Sequence, residues 1–261
     1  MLNSVQDHIN ALVASKHDEN FLRQVLSLLD LTSLNRDDDE AVIRALCQKA
    51  LTPEGHVAAV CIFPVFVSQA ARLLSGSSVK VATVVNFPEG NKMDASVQAD
   101  IQNAIQHGAT EIDLVFPRQH YLAGDKTGAQ NFVRCCKAVC GEKILLKVII
   151  ETGALPSLHM VEEMSRDAIL AGADFLKTST GKMKQGASLE AAAVMLLTIK
   201  EMSLRNQHLV GFKASGGIRT LEQAGQYIAL AKQIMGNDWV KPETFRLGAS
   251  QLLDVILKNL S

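Results

Sequence analysis

Short apolar runs of β type alternate with helical patterns along the chain. Near-continuous apolar strands, each followed by a helix, are typical of a parallel sheet whose two faces are covered by helices. Eight such units predict an α/β fold, a closed (β/α)8 TIM barrel, with an extra helix at about Val5–Ala14 before the first strand. The candidate strands are Leu26–Leu31, Val57–Phe63, Val79–Val85, Glu111–Phe116, Ile144–Ile150, Asp174–Thr178, Leu209–Lys213 and Phe245–Leu247.

One barrel domain over residues 1–261 accounts for the whole length of the chain, because (β/α)8 barrels typically need about 250 residues. An open doubly wound sheet is the alternative, and it would be favoured by a G-x-G-x-x-G turn after the first strand. The sequence has no such turn there. Candidate helices between the strands include Asp37–Ala50, Ala95–His107, Leu158–Ala171, Leu189–Arg205 and Leu221–Met235.

Composition excludes several classes of partner. The formal net charge of −1 gives no general field for binding nucleic acid or a membrane surface. The longest apolar candidate, Ile144–Ile150, is interrupted by Lys147 and is too short to cross a bilayer. Residues 1–10 lack the basic and apolar regions of a secretory signal. With five cysteines, an odd number, we expect free thiols and a cytoplasmic location.

Charged residues interrupt the predicted barrel strands. Lys147, Lys177 and Lys213 lie on strands five, six and seven at similar heights. A lone lysine is usually a solvated surface group, but both faces of a parallel barrel strand are covered. A charge at such a position must pair or take part in chemistry. We therefore interpret the three lysines as one shared site.

Such a cluster suits a particular chemistry. Burial and a neighbouring cation both disfavour the ammonium form of a lysine, and a neutral amine can attack an aldehyde to form an iminium. The iminium is an electron sink, so a carbon–carbon bond can break without a metal or an organic cofactor. A nearby carboxylate such as Asp113, with Lys213 as its partner, can move the protons.

Two glycine turns near the end of the sequence indicate a phosphate site. Ser215-Gly216-Gly217 follows strand seven, and Gly248-Ala249-Ser250 follows strand eight. Barrels often bind phosphate at these two loops, where glycines and helix starts bring backbone N–H groups to the anion. Ser250 also suits the N-cap of the last helix. The segment Thr178–Lys182 adds hydroxyls, a glycine and a cation to the same rim.

At these residues the sequence resembles the deoxyribose-phosphate aldolases from its first strand to its last. The lysine-bearing segments are the most specific part of the resemblance. The matching segments are Asp30–Thr32, Cys61–Pro64, Asn86–Gly90, Glu111–Asp113, Leu146–Gly153, Phe175–Gly181, Gly211–Gly217 and Gly248–Ser250.

The resemblance implies a role for each matching residue. Lys177 would be the Schiff-base lysine, Lys213 the second lysine that favours its neutral form, and Asp113 the proton relay. The residues implied to line the substrate pocket are Asp30, Cys61 and Lys147. Those implied on the phosphate side are Gly181, Lys182, Gly216, Gly217, Gly248, Ala249 and Ser250.

The implied enzyme is a class I aldolase, with no metal or cofactor, that reversibly cleaves 2-deoxy-D-ribose 5-phosphate. Its products would be D-glyceraldehyde 3-phosphate and acetaldehyde, and the reaction would serve deoxynucleoside breakdown. The enzyme could form a homodimer. Two alternatives remain, another Schiff-base phosphosugar lyase or transaldolase and a non-catalytic phosphosugar-binding barrel. The presence of Lys177 and Asp113 disfavours the binding barrel.

The sequence departs from the family pattern in two places. Gln251 stands where some relatives have a second serine, and the tyrosine-ended tail of some relatives has no counterpart. We expect another group or water to serve in place of that tyrosine. Two clusters could suggest a metal site. We interpret the first as core packing, and its members are Cys135, Cys136 and Cys140. We interpret the second as helix surface, and its members are His159, Glu162 and Glu163.

Overall fold

The computed structural model describes residues 2–13, 15–206 and 209–260. Its strands are β1 (Leu29–Thr32), β2 (Leu51–Thr52), β3 (Gly55–His56), β4 (Ala59–Ile62), β5 (Lys80–Val85), β6 (Glu111–Val115), β7 (Leu145–Ile149), β8 (Phe175–Lys177), β9 (Gly211–Ser215) and β10 (Phe245–Ala249). Strand β1 and strands β4 to β10 form a closed parallel barrel, and β2 and β3 form a small antiparallel hairpin beside it. The predicted fold class is therefore confirmed.

Helices follow the barrel strands in alternation. They are α1 (Leu2–Asn10), α2 (Glu19–Ser27), α3 (Glu40–Ala50), α4 (Val67–Leu73), α5 (Ala95–Gln106), α6 (Arg118–Leu122), α7 (Lys126–Cys140), α8 (Leu158–Leu170), α9 (Leu189–Asn206), α10 (Leu221–Met235) and α11 (Leu252–Leu260). No helix within the described ranges is long and apolar enough to span a bilayer.

The start of the barrel differs from the prediction. Two helices precede β1 instead of one, and residues Leu26–Leu28, predicted as strand, belong to α2 and its C-terminal cap. Asp18 begins α2 by accepting a hydrogen bond from the Phe21 N–H. Because the apolar face of α2 runs directly into the apolar strand β1, the sequence shows one continuous leucine-rich run. The predicted first helix ends at Asn10, and Ala14 lies outside the described residues.

The last two strands extend further toward the glycine turns than predicted. Strand β9 runs over Gly211–Ser215, while Leu209, predicted as its start, is exposed. Strand β10 continues to Ala249, and helix α11 begins at Leu252. Gln251, and not Ser250, therefore precedes the last helix. This arrangement leaves Ser250 free to lie on the rim of the barrel.

The barrel interior has two unlike halves. Toward β4 and β5 it is filled by small apolar side chains, which are those of Ala59, Cys61, Ala82 and Val84, with Leu34 above them. Toward the other strands it is charged. Asp30 on β1 pairs with Lys213 on β9, although these strands are not neighbours, so the two side chains meet across the interior. The barrel encloses charge that water cannot reach.

Candidate active site

Six buried charged side chains form a closed ring inside the barrel, in which cations and carboxylates alternate. We call it the charge ring. Each member lies within an ion-pair distance of the next, and every one is at most 3% exposed. The contacts around the ring are Arg246–Asp30 2.7 Å, Asp30–Lys213 2.6 Å, Lys213–Asp113 2.8 Å, Asp113–Lys147 2.8 Å, Lys147–Glu111 2.6 Å and Glu111–Arg246 2.9 Å.

The sheet geometry assembles this ring from five strands. Glu111 and Asp113 are two residues apart on β6, so both side chains point to the same face. Asp113 is in register with Lys147 on β7, and Arg246 on β10 with Lys213 on β9. Three cations and three carboxylates leave the ring electrically neutral. Such a balance is what allows charges to be buried at all.

Lys177 is attached to the charge ring from outside. Its Nζ lies 2.8 Å from Asp113 Oδ2, the same oxygen that Lys213 contacts. Within the described part of the chain, Lys177 has a single carboxylate partner, whereas Lys147 and Lys213 each have at least two. Lys177 is therefore the one amine whose positive charge the ring does not need.

Lys177 and Lys213 are in direct register on β8 and β9, as the prediction of a shared height requires. Lys147 lies one interior position lower, because Ile149 and not Lys147 is in register with Lys177. The three lysines thus occupy two layers. In the upper layer, Lys177 lines the cavity described below, while Lys213 is fully buried.

The ring members hold their charges against the cost of burial. Burial alone would raise the pKa of Asp113, but the charges of Lys147, Lys177 and Lys213 outweigh it and hold the pKa well below its usual range. Burial would lower the pKa of Lys213, but Asp113 and Asp30 hold it well above its usual range. Lys213 therefore stays an ammonium group at neutral pH and is unsuited to act as a nucleophile.

Cys61 approaches the same carboxylate from the apolar half of the barrel. Its Sγ lies 3.7 Å from Asp113 Oδ2, where the thiol donates a weak hydrogen bond. Burial raises the pKa of this thiol, although Lys213 works in the opposite direction. A thiol here supplies a third donor to an oxygen that two ammonium groups already contact.

Two glycines make room for the charged half. A Cβ at Gly248 would lie 2.8 Å from the Ser215 Cβ and 3.1 Å from the Lys213 Cε, so only glycine leaves space for the lysine. A Cβ at Gly211 would lie 2.4 Å from the ring of Phe175. That ring stacks 5.8 Å from the guanidinium carbon of Arg246. The glycines on β9 and β10 are therefore required by the ring and its support.

A cavity of about 450 Å³ opens above Lys177 at the carboxyl ends of the strands. Among the described residues, Lys177 lines this cavity, and the six members of the charge ring do not. The other lining residues are Thr32, Leu34, Asn35, Thr180, Gly181, Lys182, Ser215, Gly216, Gly217, Ile218, Arg219, Gly248, Ala249, Ser250 and Gln251.

Glycines form part of the wall of this cavity. Gly216 and Gly217 have φ values of +90° and +88°, in the left-handed region that favours glycine. A Cβ at Gly216 would lie 3.1 Å from the Gly186 Cα, where two loops cross closely. At Gly217 an added Cβ would meet nothing within 4 Å. Gly217 therefore leaves this side of the backbone open.

Two cations stand at the rim of the same cavity. Lys182 donates from its Nζ to the Leu34 carbonyl at 2.6 Å and so joins the loop after β8 to the loop after β1. Arg219 lines the cavity on the side of β9. These side chains give a local positive charge on a chain whose net charge is −1. Such a site can hold an anion.

The structure gathers the predicted residues into two groups. All seven residues predicted on the phosphate side, which are Gly181, Lys182, Gly216, Gly217, Gly248, Ala249 and Ser250, line the cavity together with Gln251. Asp113 contacts Lys177 and Lys213 through one oxygen, and Lys213 is in register with Lys177 on the neighbouring strand. Asp30, Cys61 and Lys147, predicted to line the pocket, are fully buried and are not in its wall. They differ from the prediction because their polar atoms are engaged by Asp113, Lys213 and Arg246.

Sequence reasoning missed Glu111, Arg246, Arg219 and Glu151. A signal for the first two was present, since each is a charge within a covered strand, as the lysines are. Glu151, with a left-handed φ of +57°, accepts hydrogen bonds from the Thr180 N–H and hydroxyl. It holds the loop that carries Gly181 and Lys182.

Comparisons with known proteins identify a matching family model and related structures. The family model described as DeoC/LacD family aldolase matches residues 24–256. A protein from Coccidioides immitis, provisionally named a deoxyribose-phosphate aldolase, is 27% identical over 98% of this chain and 95% of its own, with a TM-score of 0.80.

Two more distant structures share the fold. A protein of Toxoplasma gondii ME49 with the same provisional name is 22% identical over 93% of this chain and 94% of its own, with a TM-score of 0.85. The deoxyribose phosphate aldolase of Aeropyrum pernix is 24% identical over 98% and 97%, with a TM-score of 0.75. The architecture is thus shared well beyond the sequence likeness.

The charge ring makes the fold sensitive to acid. The pKa values of Asp30 and Asp113 are lowered in the folded state, while an unfolded aspartate titrates near 3.9. Their contribution is fully present above that pH and is lost as the pH falls toward the folded-state values. We expect the free energy of unfolding to fall below about pH 4, by up to about 1.4 kcal/mol per pH unit for each group.

Urea denaturation at pH 5, 4 and 3 measures this slope. The Asp30→Asn substitution should make the slope shallower. Thr83→Val is the matched control, because it removes a buried hydrogen bond to the Ile62 carbonyl without changing charge. It should lower stability equally at each pH. An Asp30→Asn protein with the full parental slope would contradict the role of the ring.

Proposed function

The chain belongs to the DeoC/LacD family of aldolases, and on that premise we propose that it is a class I deoxyribose-phosphate aldolase. It cleaves 2-deoxy-D-ribose 5-phosphate reversibly into D-glyceraldehyde 3-phosphate and acetaldehyde, through a Schiff base at Lys177. The observation that carries this proposal is the position of Lys177. It lines the cavity and is the extra cation on an otherwise neutral ring.

The charge balance favours Lys177 as the nucleophile over the other two lysines. If Lys177 gives up its proton, three cations still face three carboxylates. If Lys147 or Lys213 did so, buried carboxylates would lose a partner, which typically costs about 3–5 kcal/mol. The neutral amine is therefore least costly at Lys177, which is the member of these three lysines that lines the cavity.

The reaction follows from an amine in this position. The Lys177 amine attacks the C1 aldehyde of the open-chain sugar, and water leaves to give the iminium. The bond between C2 and C3 then breaks, its electrons flow into the iminium, and the C3 hydroxyl loses its proton. D-Glyceraldehyde 3-phosphate departs and leaves an enamine on Lys177. Protonation at C2 and addition of water release acetaldehyde and restore the amine.

Asp113 is suited to move the protons in these steps. One of its oxygens lies 2.8 Å from both the Lys177 and the Lys213 ammonium nitrogens. Lys213 can donate a proton through this oxygen and recover it from the same group. Asp113 is ionised at rest between three cations, so its oxygen can take up a proton from a neighbouring ammonium group and pass it on. Water in the cavity can complete the path to C2 and to the C3 hydroxyl.

The phosphate group would bind at the glycine-rich part of the cavity wall. Gly216 and Gly217 follow β9, and Gly248 and Ala249 end β10, where backbone N–H groups can reach an anion. Lys182 and Arg219 stand at the same wall. In this proposal the phosphate binds against these loops while the aldehyde carbon of the same sugar meets the Lys177 amine, which lines the same cavity.

Trapping the covalent intermediate tests the nucleophile. Borohydride reduction in the presence of acetaldehyde should leave an ethyl group on Lys177, located by peptide mass mapping. Lys177→Met should abolish both the adduct and turnover, yet it should fold, because the neutral ring remains intact. Lys80→Met, an exposed lysine at the opposite end of the barrel, is the control. An adduct on Lys147 or Lys213 of the parent protein would refute the assignment.

Metal removal tests the class of aldolase. The iminium supplies the electron sink that a metal aldolase obtains from its cation. Activity should therefore survive exhaustive dialysis against a strong chelator. A loss of activity that a divalent ion restores would refute a class I mechanism.

Substitution of Gly217 tests the phosphate site. Gly217→Val should raise the KM for 2-deoxyribose 5-phosphate by roughly tenfold or more, and that for unphosphorylated 2-deoxyribose far less. The side chain obstructs the anion, whereas the backbone strain of a valine at this φ affects both sugars equally. Gly76→Val is the matched control, because Gly76 has a similar φ of +82° and equally open surroundings at the other end of the barrel. Equal losses for both sugars would contradict the placement.

A further inference from the structure

We propose that Arg246 and Glu111 are positioning residues that set the pH at which Lys177 becomes reactive. The proposal rests on the proposed function, because it assumes that the Lys177 amine forms the Schiff base. Arg246 contacts Asp30 and Glu111, and Glu111 contacts Lys147 and Arg246. Neither is among the residues that line the cavity. Both therefore act on Lys177 only through the charge ring.

The geometry at Arg246 is that of a fixed support. Its Nη1 donates to Asp30 Oδ1 at 2.7 Å, and its Nη2 donates to Glu111 Oε1 at 2.9 Å. Its Nε donates to the Pro242 carbonyl, and the Phe175 ring lies beneath the guanidinium. A guanidinium stays charged at any pH the protein experiences. It thus supplies a permanent positive charge between Asp30 and Glu111 in the charge ring.

The charge count gives the two residues opposite effects. With Lys177 protonated, the parent cluster has four cations and three carboxylates. Loss of the Glu111 charge makes the excess of positive charge larger, so the Lys177 proton is released at lower pH. Loss of the Arg246 charge leaves three cations and three carboxylates while Lys177 is protonated. The Lys177 proton then balances the charge, so it is released only at higher pH. Loss of both restores the parental excess of one.

Other charges around Lys177 are unchanged in such variants. The titratable and charged groups around it are Asp113 on β6, which it contacts, and Lys213 on β9 and Cys61 on β4, which contact the same Asp113 oxygen. Lys147 on β7 pairs with Asp113, Asp30 on β1 pairs with Lys213, and Lys182 and Arg219 line the same cavity. A shift in either variant therefore reports the residue that was replaced. A purely structural lesion would not move the two profiles in opposite directions.

The experiment compares the pH profiles of four proteins, the parent, Glu111→Gln, Arg246→Gln and the double variant. The readouts are kcat/KM for 2-deoxyribose 5-phosphate and the yield of borohydride-trapped acetaldehyde on Lys177. We expect the rising limb to move about one pH unit lower in Glu111→Gln and about one unit higher in Arg246→Gln, as for a unit charge roughly 10 Å away at an effective dielectric near 20. The double variant should return close to the parental limb.

Controls separate charge from damage. Thr83→Val should be less stable but keep the parental limb, because it alters a buried hydrogen bond and no charge. Arg246→Lys, which keeps the positive charge, should also keep the parental rising limb of the pH profile. Shifts of both single variants in the same direction, or unshifted profiles with lower rates, would overturn the proposal.

The double variant also decides the case in which a single variant does not fold, since removing one partner of a buried pair is strongly destabilising. A double variant that folds with the parental limb supports the proposal. A double variant that does not fold, or whose limb is displaced, overturns it. If the parent itself gives no adduct at Lys177, the proposed function fails. A trapped parent with unshifted variants refutes only this inference.

Discussion

Charge balance inside a dry barrel is the constraint on which the rest of this structure depends. Asp113 accepts hydrogen bonds from Lys147, Lys177 and Lys213, and its partners are held in turn by Asp30 and Glu111. Each isolated charge in this environment would cost several kcal/mol. A closed ring with alternating signs offsets that cost. The same balance makes loss of a proton from Lys147 or Lys213 costly, because each of them pairs with at least two carboxylates.

The barrel fold makes such a ring possible because its interior is lined by alternate residues of eight strands. Side chains from strands that are not neighbours meet there, as Asp30 and Lys213 do. The ring is crowded, and so glycine is required at positions 211 and 248 beside it. The half of the interior toward β4 and β5 stays small and apolar. The charges are consequently confined to the side that lies beneath the cavity.

Much of this could be predicted from the sequence, because a lysine on a strand with two covered faces has few explanations. The same reasoning applies to Glu111 and Arg246, which are also charges on covered strands. It indicates that each charge needs a partner, but it does not identify that partner. Arg246 meets Asp30 over 216 positions of sequence separation, and only the closure of the barrel brings them together. The predicted start of β1 was wrong for a local reason. The apolar face of α2 and the strand that follows it form one leucine-rich run.

The arrangement also divides the work between rigid and adaptable parts. The strands hold the amine and its charges below, where backbone pairing fixes each side chain to its neighbours. The loops above present backbone groups, and Gly217 is open there. An anionic ligand would gain its attraction from Lys182 and Arg219 at the rim, because the chain as a whole is nearly neutral. Under the proposed function, the phosphate would bind in these loops without entering the ring, and its binding would leave the charge balance around Lys177 undisturbed.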